Sequence, residues 1–182
     1  MKKISKIGII MCMIAMFTML LAGCDLVKKD DNKKEINKEE LSGYTEYVDS
    51  SGVKFSYPSD WKNLGTTSKP VFGETSTGTS VNYLSESIPK MYNLTSYMAA
   101  AVKNVKESMH IDTDIEEEEV KLNGRDAAIL TYKITQDGSE IMIKQVCFIA
   151  DDAAHILTIA TLEKNYNDKQ ETIDKIISSY MK

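Results

Sequence analysis

The clearest pattern in the chain is an alternation of apolar and polar residues that begins near Tyr44 and is interrupted by turn residues. Val53, Phe55 and Tyr57 alternate with polar residues, and this period of two predicts a half-buried strand. The Pro-Ser-Asp sequence at 58–60 predicts the turn that ends it, because proline lacks the N–H that a strand ladder needs. Similar patterns predict strands at 44–48 and 80–84, a strand pair within 65–78, and strands at 118–122, 127–135, 140–150 and 154–162.

Short turn signals separate the last four of these strands. Asn123-Gly124 and Asp137-Gly138 are dipeptides favoured in two-residue hairpins, since both positions of such a turn adopt positive φ. Asp151-Asp152 separates the third strand from the fourth. Strands joined by tight turns pair antiparallel, so the sequence predicts a meander of four strands.

Two segments have the period of an amphipathic helix. The first follows Asn93, which is its predicted N-cap, and the second follows Asp168, with Glu171 three residues on as in a capping box. Together with the strands, these helices predict an α+β domain at 44–182, in which helices flank an antiparallel sheet. The apolar faces consist of Leu94, Tyr97, Met98, Ala101, Val102 and Val105 in the first helix, and Ile173, Ile176, Ile177, Tyr180 and Met181 in the second.

The N-terminal segment has the parts of a secretory signal. Lys2, Lys3 and Lys6 precede an uncharged, mostly apolar run at 7–21, which would rise about 22 Å as a helix. A hydrocarbon core is about 30 Å thick, so the pattern predicts a cleaved signal peptide at 1–23 and not a membrane span. An uncleaved anchor helix is the alternative.

Leu21-Ala22-Gly23-Cys24 closes this segment and resembles the lipobox of bacterial lipoproteins. A thiol is the nucleophile that accepts a diacylglyceryl group, and small residues before it fit an extended peptide into the cleavage site. Two acyl chains anchor a protein stably, where one binds only marginally. We therefore predict that Cys24 is lipidated, with palmitate among its acyl chains, and that the chain lies at the extracytoplasmic face of the cell membrane.

Residues 24–43 comprise the lipidated cysteine and a charged stretch with few apolar residues. Such a stretch buries too little surface to offset its ordering entropy, so a flexible tether is predicted, with a transient helix as the alternative. Loss of 1–23 removes three lysines and no acid, which moves the net charge from −5 to −8. This acidic balance argues against nucleic acid. The predicted partners are the membrane, through the lipid, and a protein.

Few residues suggest catalysis. Cys147 is the only cysteine left with a free thiol, and its place in a strand pattern favours a buried apolar role. Neither His110 nor His155 lies in a nucleophile motif, and both are interpreted as polar surface residues. We predict no enzymatic activity, no catalytic residue and no cofactor.

An acidic run comprises Asp112, Asp114 and the glutamates at 116–119. Carboxylates of this kind bind Ca²⁺ or Mg²⁺ when their spacing allows it. The run lacks the turn glycine and ligand spacing of an EF-hand, and a strand would direct alternate glutamates to opposite faces. The preferred interpretation is a solvated charge run, and no metal site is predicted.

Residues 52–61, Gly-Val-Lys-Phe-Ser-Tyr-Pro-Ser-Asp-Trp, resemble the opening motif of the PsbP-like superfamily. The resemblance extends loosely over 44–181 and includes a hairpin meander with Gly124 in its first turn. It implies an α/β/α sandwich in which Tyr57, Pro58 and Trp61 form the first turn and the edge of the core. The superfamily includes an extrinsic photosystem II protein, a Ran-binding import factor and small bacterial lipoproteins, so it implies surface interactions and no particular reaction.

Three functions are compatible with these features. The preferred one is a non-enzymatic accessory or binding module for an envelope protein or component. The alternative is a small-ligand or ion carrier with a pocket between sheet and helix, which requires a concave apolar site with convergent polar groups. A hydrolase with an unmarked site is third, and it would require titratable groups with shifted pKa values in one cleft.

Overall fold

The structure, a computed structural model, describes residues 33–39, 41–67, 69–109 and 114–182. The predicted signal peptide, Cys24, His110 and Asp112 lie outside these ranges. The strands are β1 (Lys34–Ile36), β2 (Tyr44–Val48), β3 (Lys54–Pro58), β4 (Lys62–Asn63), β5 (Val71–Glu74), β6 (Thr79–Ser87), β7 (Glu116–Leu122), β8 (Arg125–Gln136), β9 (Ser139–Ala150) and β10 (Ala153–Leu162). The α-helices are α1 (Leu94–Met109), α2 (Glu163–Tyr166) and α3 (Gln170–Ser179), with a 3-10 turn (Asn167–Lys169) before α3.

The described residues form an eight-stranded sheet in the order β1-β7-β8-β9-β10-β6-β5-β4, and β2 and β3 pair as a separate hairpin. The strands β7 to β10 are the predicted antiparallel meander, which is confirmed. Asn123 and Asp137 both have a φ of 51°, and the glycines that follow them also have positive φ, as two-residue turns require. The turn residues therefore determine the pairing.

Alternation along the strands divides the core between the two faces of the sheet. On β8, Ala128 and Leu130 pack with α1, whereas Ala127 and Ile129 pack with α3 and the β2–β3 hairpin. The mixed α+β class is confirmed, with a large sheet and few helices. The predicted α/β/α sandwich is confirmed only in part, because each face of the sheet has one long helix and not a layer of helices.

Part of the predicted tether is a strand, which corrects the sequence prediction for 34–36. β1 pairs parallel with β7, with Ile36 opposite Leu122. Just before β1, Lys33 Nζ lies 2.8 Å from the Glu119 carboxylate and 3.0 Å from that of Asp126. The prediction was based on the composition of the segment, which reflects only how much side-chain surface it can bury. The open edge of β7 also offers backbone hydrogen bonds, and these do not depend on the side chains of the pairing segment.

The helix ends differ from one another in how well the sequence predicts them. Asn93 caps α1 as predicted, since its Oδ1 accepts from Ser96 N–H at 2.9 Å. The predicted capping box of the last helix is wrong, because Asp168 lies in the 3-10 turn and no side chain caps α3. At its other end, Tyr180 is extended and Met181 pairs with β3, so neither continues the helix.

Candidate functional site

An open cleft of about 430 Å³ lies at one end of the sheet, where the β7–β8 turn meets residues 180–182. We call this end of the sheet the cleft end; it also holds the β9–β10 turn at 151–152 and the β2–β3 turn. The opposite end, with the β8–β9 turn at 137–138, is called the far end. Residues that line the cleft include Asn123, Gly124, Arg125, Phe148, Tyr180 and Lys182.

A planar cation lies on an aromatic base in this cleft. The guanidinium carbon of Arg125 is 5.1 Å from the ring centroid of Phe148, which is a cation–π contact. Arg125 Nη2 also donates to the main-chain oxygen of Lys182 at 3.5 Å. The Lys182 ammonium lies 2.5 Å from the carboxylate of Asp151, and this contact lowers the pKa of Asp151. Two cations therefore lie in the cleft, of which Lys182 pairs with an acidic side chain and Arg125 contacts a main-chain oxygen.

The base of the cleft is a cluster of four rings. The Phe148 ring centroid lies 4.9 Å from that of Tyr180 and 5.1 Å from that of His155. Tyr83 stacks against His155 with an interplanar angle of 8° and meets the edge of Tyr180. Because these rings are packed together, Phe148 holds Arg125 in a fixed place.

His155 is buried in this cluster, with only 2% of its surface exposed, so the interpretation as a surface residue is wrong. Its Nδ1 lies 2.7 Å from the Tyr83 hydroxyl and its Nε2 lies 3.2 Å from the Ala150 carbonyl oxygen. A carbonyl only accepts, so Nε2 carries the hydrogen and Nδ1 accepts from Tyr83. Burial lowers the pKa of His155, and the nearby Lys182 and Arg125 charges act in the same direction.

The surroundings of His155 do not equip it for base catalysis. Both ring nitrogens have partners, and neither partner is a nucleophile that a base would activate. The one further contact is from Tyr83 to Ser51 Oγ, at 3.5 Å, the outer limit of a hydrogen bond. Within the described residues, both ring nitrogens of His155 are therefore occupied by contacts that hold the ring in the cluster.

Asn123 joins three segments at the wall of the cleft. Its main-chain N–H donates to Ile36 O at 2.8 Å, and its Oδ1 accepts from Lys38 N–H at 2.7 Å. Its Nδ2 donates to Ser178 O at 2.9 Å and to Tyr180 O at 3.2 Å. One turn residue thus holds the chain around β1 and the end of α3 against the β7–β8 turn.

Exposed apolar side chains also collect at the cleft end. In the part of the chain that the structure describes, Met91 and Val48 are the large apolar residues that stand exposed, at 81% and 55%. Met91 follows Lys90, which pairs with Asp152 of the β9–β10 turn. Val48 pairs with Lys54, the residue of β3 that bonds to the chain at 181. Both exposed side chains therefore lie at the same end of the sheet as the cleft.

The residues that sequence analysis considered for chemistry lie elsewhere. Cys147 is buried as predicted, on the α1 face, and burial raises the pKa of its thiol far above the usual range. Glutamates 116–119 form β7, and Glu119 pairs with Lys33. Among residues 33–39, 41–67, 69–109 and 114–182, no three His, Cys, Asp or Glu side chains converge as metal ligands would.

Sequence analysis did not single out Arg125, Phe148 or Lys182. One signal for the site was present, since Arg125 is the only arginine in the chain and directly follows the Asn-Gly turn. Phe148 and Lys182 gave none, because their proximity to Arg125 depends on the pairing of distant segments.

The chain is a small α+β domain whose sheet has one long helix on each face and an open cleft at one end. A family model identifies it further. The model described as PsbP-like protein matches residues 4–181, so the chain belongs to this family. The resemblance in the opening motif is thereby confirmed at the level of the superfamily. No curated protein matches the chain.

Solved structures share the fold at low sequence identity. CyanoP, the cyanobacterial PsbP of Synechocystis sp. PCC 6803, has a TM-score of 0.57 at 16% identity, over 78% of this chain and 94% of its own. LpqN of Mycobacterium tuberculosis has a TM-score of 0.51 at 11% identity, over 76% and 89%. The Ran-binding protein Mog1p of Saccharomyces cerevisiae has a TM-score of 0.54 at 8% identity, over 76% and 94%.

The described helices can also be compared with the dimensions of a bilayer. Of those within the described residues, none combines the length and the apolar character that a membrane-spanning helix needs.

Proposed function

We propose that this protein is a lipoprotein, anchored to the cell membrane through Cys24, that acts on the extracytoplasmic face as a non-enzymatic binding module for an envelope protein or component. The observation that carries the proposal is the composition of the cleft end. It combines an arginine on an aromatic base with exposed apolar side chains, and these residue types dominate the energetics of protein contacts.

The comparisons support an accessory role of this kind. LpqN is described as involved in cell envelope biogenesis, and Mog1p as a Ran-binding protein. The description of Mog1p names a protein that it binds, that of LpqN names a process of the envelope, and neither names a reaction. We extend that mode of action to this chain.

The position of β1 sharpens the proposed anchoring. Nine residues lie between Cys24 and Lys34, where β1 begins, and the ten steps from Cys24 to Lys34 span at most about 36 Å when extended. The β1 strand leads to Asn123 at the cleft wall. In this arrangement the domain works close to the bilayer, within reach of membrane-bound partners.

A second candidate, a small-ligand carrier, is favoured by one observation. The cleft volume of about 430 Å³ lies in the range of small-molecule sites. The predicted pocket between sheet and helix is not its location, because Tyr97, Met98, Ala101 and Val105 of α1 are buried against the sheet. A carrier would therefore hold its ligand at the cleft end.

Metabolic labelling followed by crosslinking tests the proposal. Cells that produce the full chain are fed an alkyne analogue of palmitate, and the Cys24→Ser variant is the control. We expect label on the wild-type chain alone, and a discrete partner that co-purifies with it from membranes after mild crosslinking. Label on both chains would contradict the anchor, and a labelled chain with no specific partner would contradict the binding module.

A further inference from the structure

The strand β2 is the least protected edge among the described residues. The edge strands β1 and β4 have three and two residues and each contains a lysine, and short, charged strands resist pairing with another chain. The open side of β3 is occupied by the chain at 179–181. β2 has five residues, Tyr-Thr-Glu-Tyr-Val, of which four favour strands, and it contains neither lysine nor proline.

The hydrogen bonds of the β2–β3 hairpin show which main-chain groups of β2 point away from β3. Just past the end of β2, Asp49 N–H donates to Val53 O at 2.8 Å. In an antiparallel pair, residues that bond to the neighbouring strand alternate with residues that point away from it. The residues whose N–H and C=O groups point to the open edge are therefore Val48, Glu46 and Tyr44.

These outward groups are open to contact. Val48 is 55% exposed, and the side chain of Glu46 is also exposed. Tyr44 N–H donates to Leu41 O at 3.2 Å, whereas the N–H groups of Glu46 and Val48 form no hydrogen bond within the part of the chain that the structure describes. The edge thus offers two free donors and an exposed apolar side chain.

The outward residues of β2 are arranged symmetrically about Glu46. If a second copy lay antiparallel with its Glu46 opposite this one, each Val48 would lie opposite Tyr44 of the other copy. The two Glu46 residues would exchange main-chain hydrogen bonds, and each Val48 N–H would donate to a Tyr44 carbonyl. Val48 would also lie beside a tyrosine ring, a favourable pair of side chains across two strands. The edge of β2 is therefore complementary to a second copy of β2.

The charge at the centre of this pairing is already accompanied by lysines. Two glutamates directly opposite each other repel. However, Lys54 Nζ lies 3.6 Å and Lys38 Nζ lies 3.9 Å from the carboxylate of Glu46. These positive charges offset the repulsion between the two carboxylates, so Glu46 does not prevent the pairing.

We propose that two copies of this chain pair through β2, so that their β2–β3 hairpins form one four-stranded antiparallel sheet. An edge of five residues buries less than about 1,000 Å², the area that a stable interface in solution needs. Copies anchored to one membrane surface have a raised effective concentration, which favours a weak contact. The pairing is therefore expected at the membrane, and this last step rests on the proposed anchor at Cys24.

Disulfide trapping in cells tests the pairing and its register. Opposite residues of a hydrogen-bonded pair have Cα atoms about 5.5 Å apart, which suits a disulfide. Cells that produce the full chain as Glu46→Cys are treated with the thiol oxidant diamide, and Lys62→Cys at the exposed β4 edge is the matched control. We expect about tenfold more disulfide-linked dimer from Glu46→Cys than from Lys62→Cys or from the wild-type chain, which reports any background from its own cysteines.

Substitution of Val48 should reduce the trapped dimer. Val48→Pro removes an outward N–H and leaves the bonds between β2 and β3 in place, as proline does on an edge strand. Added to Glu46→Cys, it should lower the yield of dimer about fivefold or more. Val48→Lys keeps the N–H but adds a protective charge to the edge, and it should lower the yield as well. Circular dichroism verifies that both variants are folded.

Hydrogen exchange identifies any other occupant of the edge. In the dilute, detergent-solubilised full chain we expect Val48 N–H to exchange as an open group, and to exchange about tenfold more slowly once the Glu46→Cys disulfide is formed. Protection of Val48 N–H in the dilute, unlinked chain would mean that a segment of the same chain covers β2, which would overturn the proposal.

Three results of the trapping experiment would also overturn it. These are equal dimer from Glu46→Cys and Lys62→Cys, no dimer from either, and a disulfide adduct of Glu46→Cys with a different protein. Palmitate labelling of the same cells separates this proposal from the anchor. A labelled Glu46→Cys chain without dimer would leave the anchored binding module standing and remove only the pairing, whereas dimer without label would remove only the anchor.

Discussion

The two ends of the sheet treat their charges differently. At the far end, Lys133 Nζ lies 3.1 Å from Glu140 and 3.3 Å from Glu163, and Lys169 Nζ lies 2.6 Å from Glu74. The contact with Lys169 lowers the pKa of Glu74. These lysines and glutamates pair with one another at the surface.

The cleft end has a buried histidine, packed rings and an arginine that lies on one of those rings. There Arg125 rests on Phe148, while Met91 and Val48 stand exposed. A charge paired at the surface contributes to structure, whereas an arginine on an aromatic base in an open cleft is placed where another molecule can reach it. The difference between the ends therefore points to the cleft end as the surface that binds.

The largest effect is expected from Phe148→Ala. Phe148 is 1% exposed and contacts Tyr180, His155 and Arg125, so its loss leaves a cavity at the base of the cleft. We expect the free energy of unfolding to fall by about 3–5 kcal/mol, measured by urea denaturation. Phe148→Leu should cost much less. A loss below about 1 kcal/mol for the alanine variant would mean that the ring cluster does not support the cleft.

A matched pair of turn variants comes next. Asn123 and Asp137 both precede a glycine in a hairpin turn and both have a φ of 51°. Asp137→Ala should lose about 1 kcal/mol, the cost of a left-handed conformation without a polar side chain. Asn123→Ala also loses the bonds to Lys38, Ser178 and Tyr180, and should cost about 2–3 kcal/mol. Equal losses for the two variants would contradict the role of Asn123 as a link.

The turns of the meander could be predicted from the sequence, whereas the contacts of the cleft could not. The turns at 123–124 and 137–138 have strong local signals, and so do the alternating strands that they join, so the meander follows from the chain read locally. The site does not. His155 is buried through Tyr83, which lies 72 positions away, and Arg125 meets Lys182 across 57.

The same reasoning applies to β1. Its three residues contain a single apolar side chain, and their composition is that of a solvated tether. Their place in the sheet depends on the free edge of β7, more than 80 positions away in the chain, and on Asn123. Pairing over such a distance leaves no periodic pattern in the segment itself, so the short strand could be found only from the structure.

The buried histidine at the cleft end should make the stability of the protein depend on pH. The pKa of His155 is lowered in the folded chain, so between that value and its usual 6.5 the unfolded chain binds more protons than the folded one. Stability therefore falls as the pH drops through 6.5. We expect the wild-type chain to lose more stability than His155→Gln between pH 7 and pH 5, measured by urea denaturation. Equal losses would contradict the buried, neutral histidine.

The smallest effect is expected at the far end. Lys133→Gln removes two exposed ion pairs, and pairs of this kind contribute little because water and salt screen them. We expect no resolved change in the free energy of unfolding by urea denaturation, at low or at high salt. A loss as large as that of Asn123→Ala would show that the far end is as tightly constrained as the cleft end.

Site-specific photocrosslinking in living cells tests most directly that the cleft end is the binding surface. The photoreactive residue benzoylphenylalanine replaces Met91 at the cleft end in one strain and Thr135, an exposed residue of β8 near the far end, in another. The account predicts a discrete crosslinked partner from position 91 alone, which weakens when Arg125→Lys is added. Identical products from both positions, or a product from position 135 only, would contradict it.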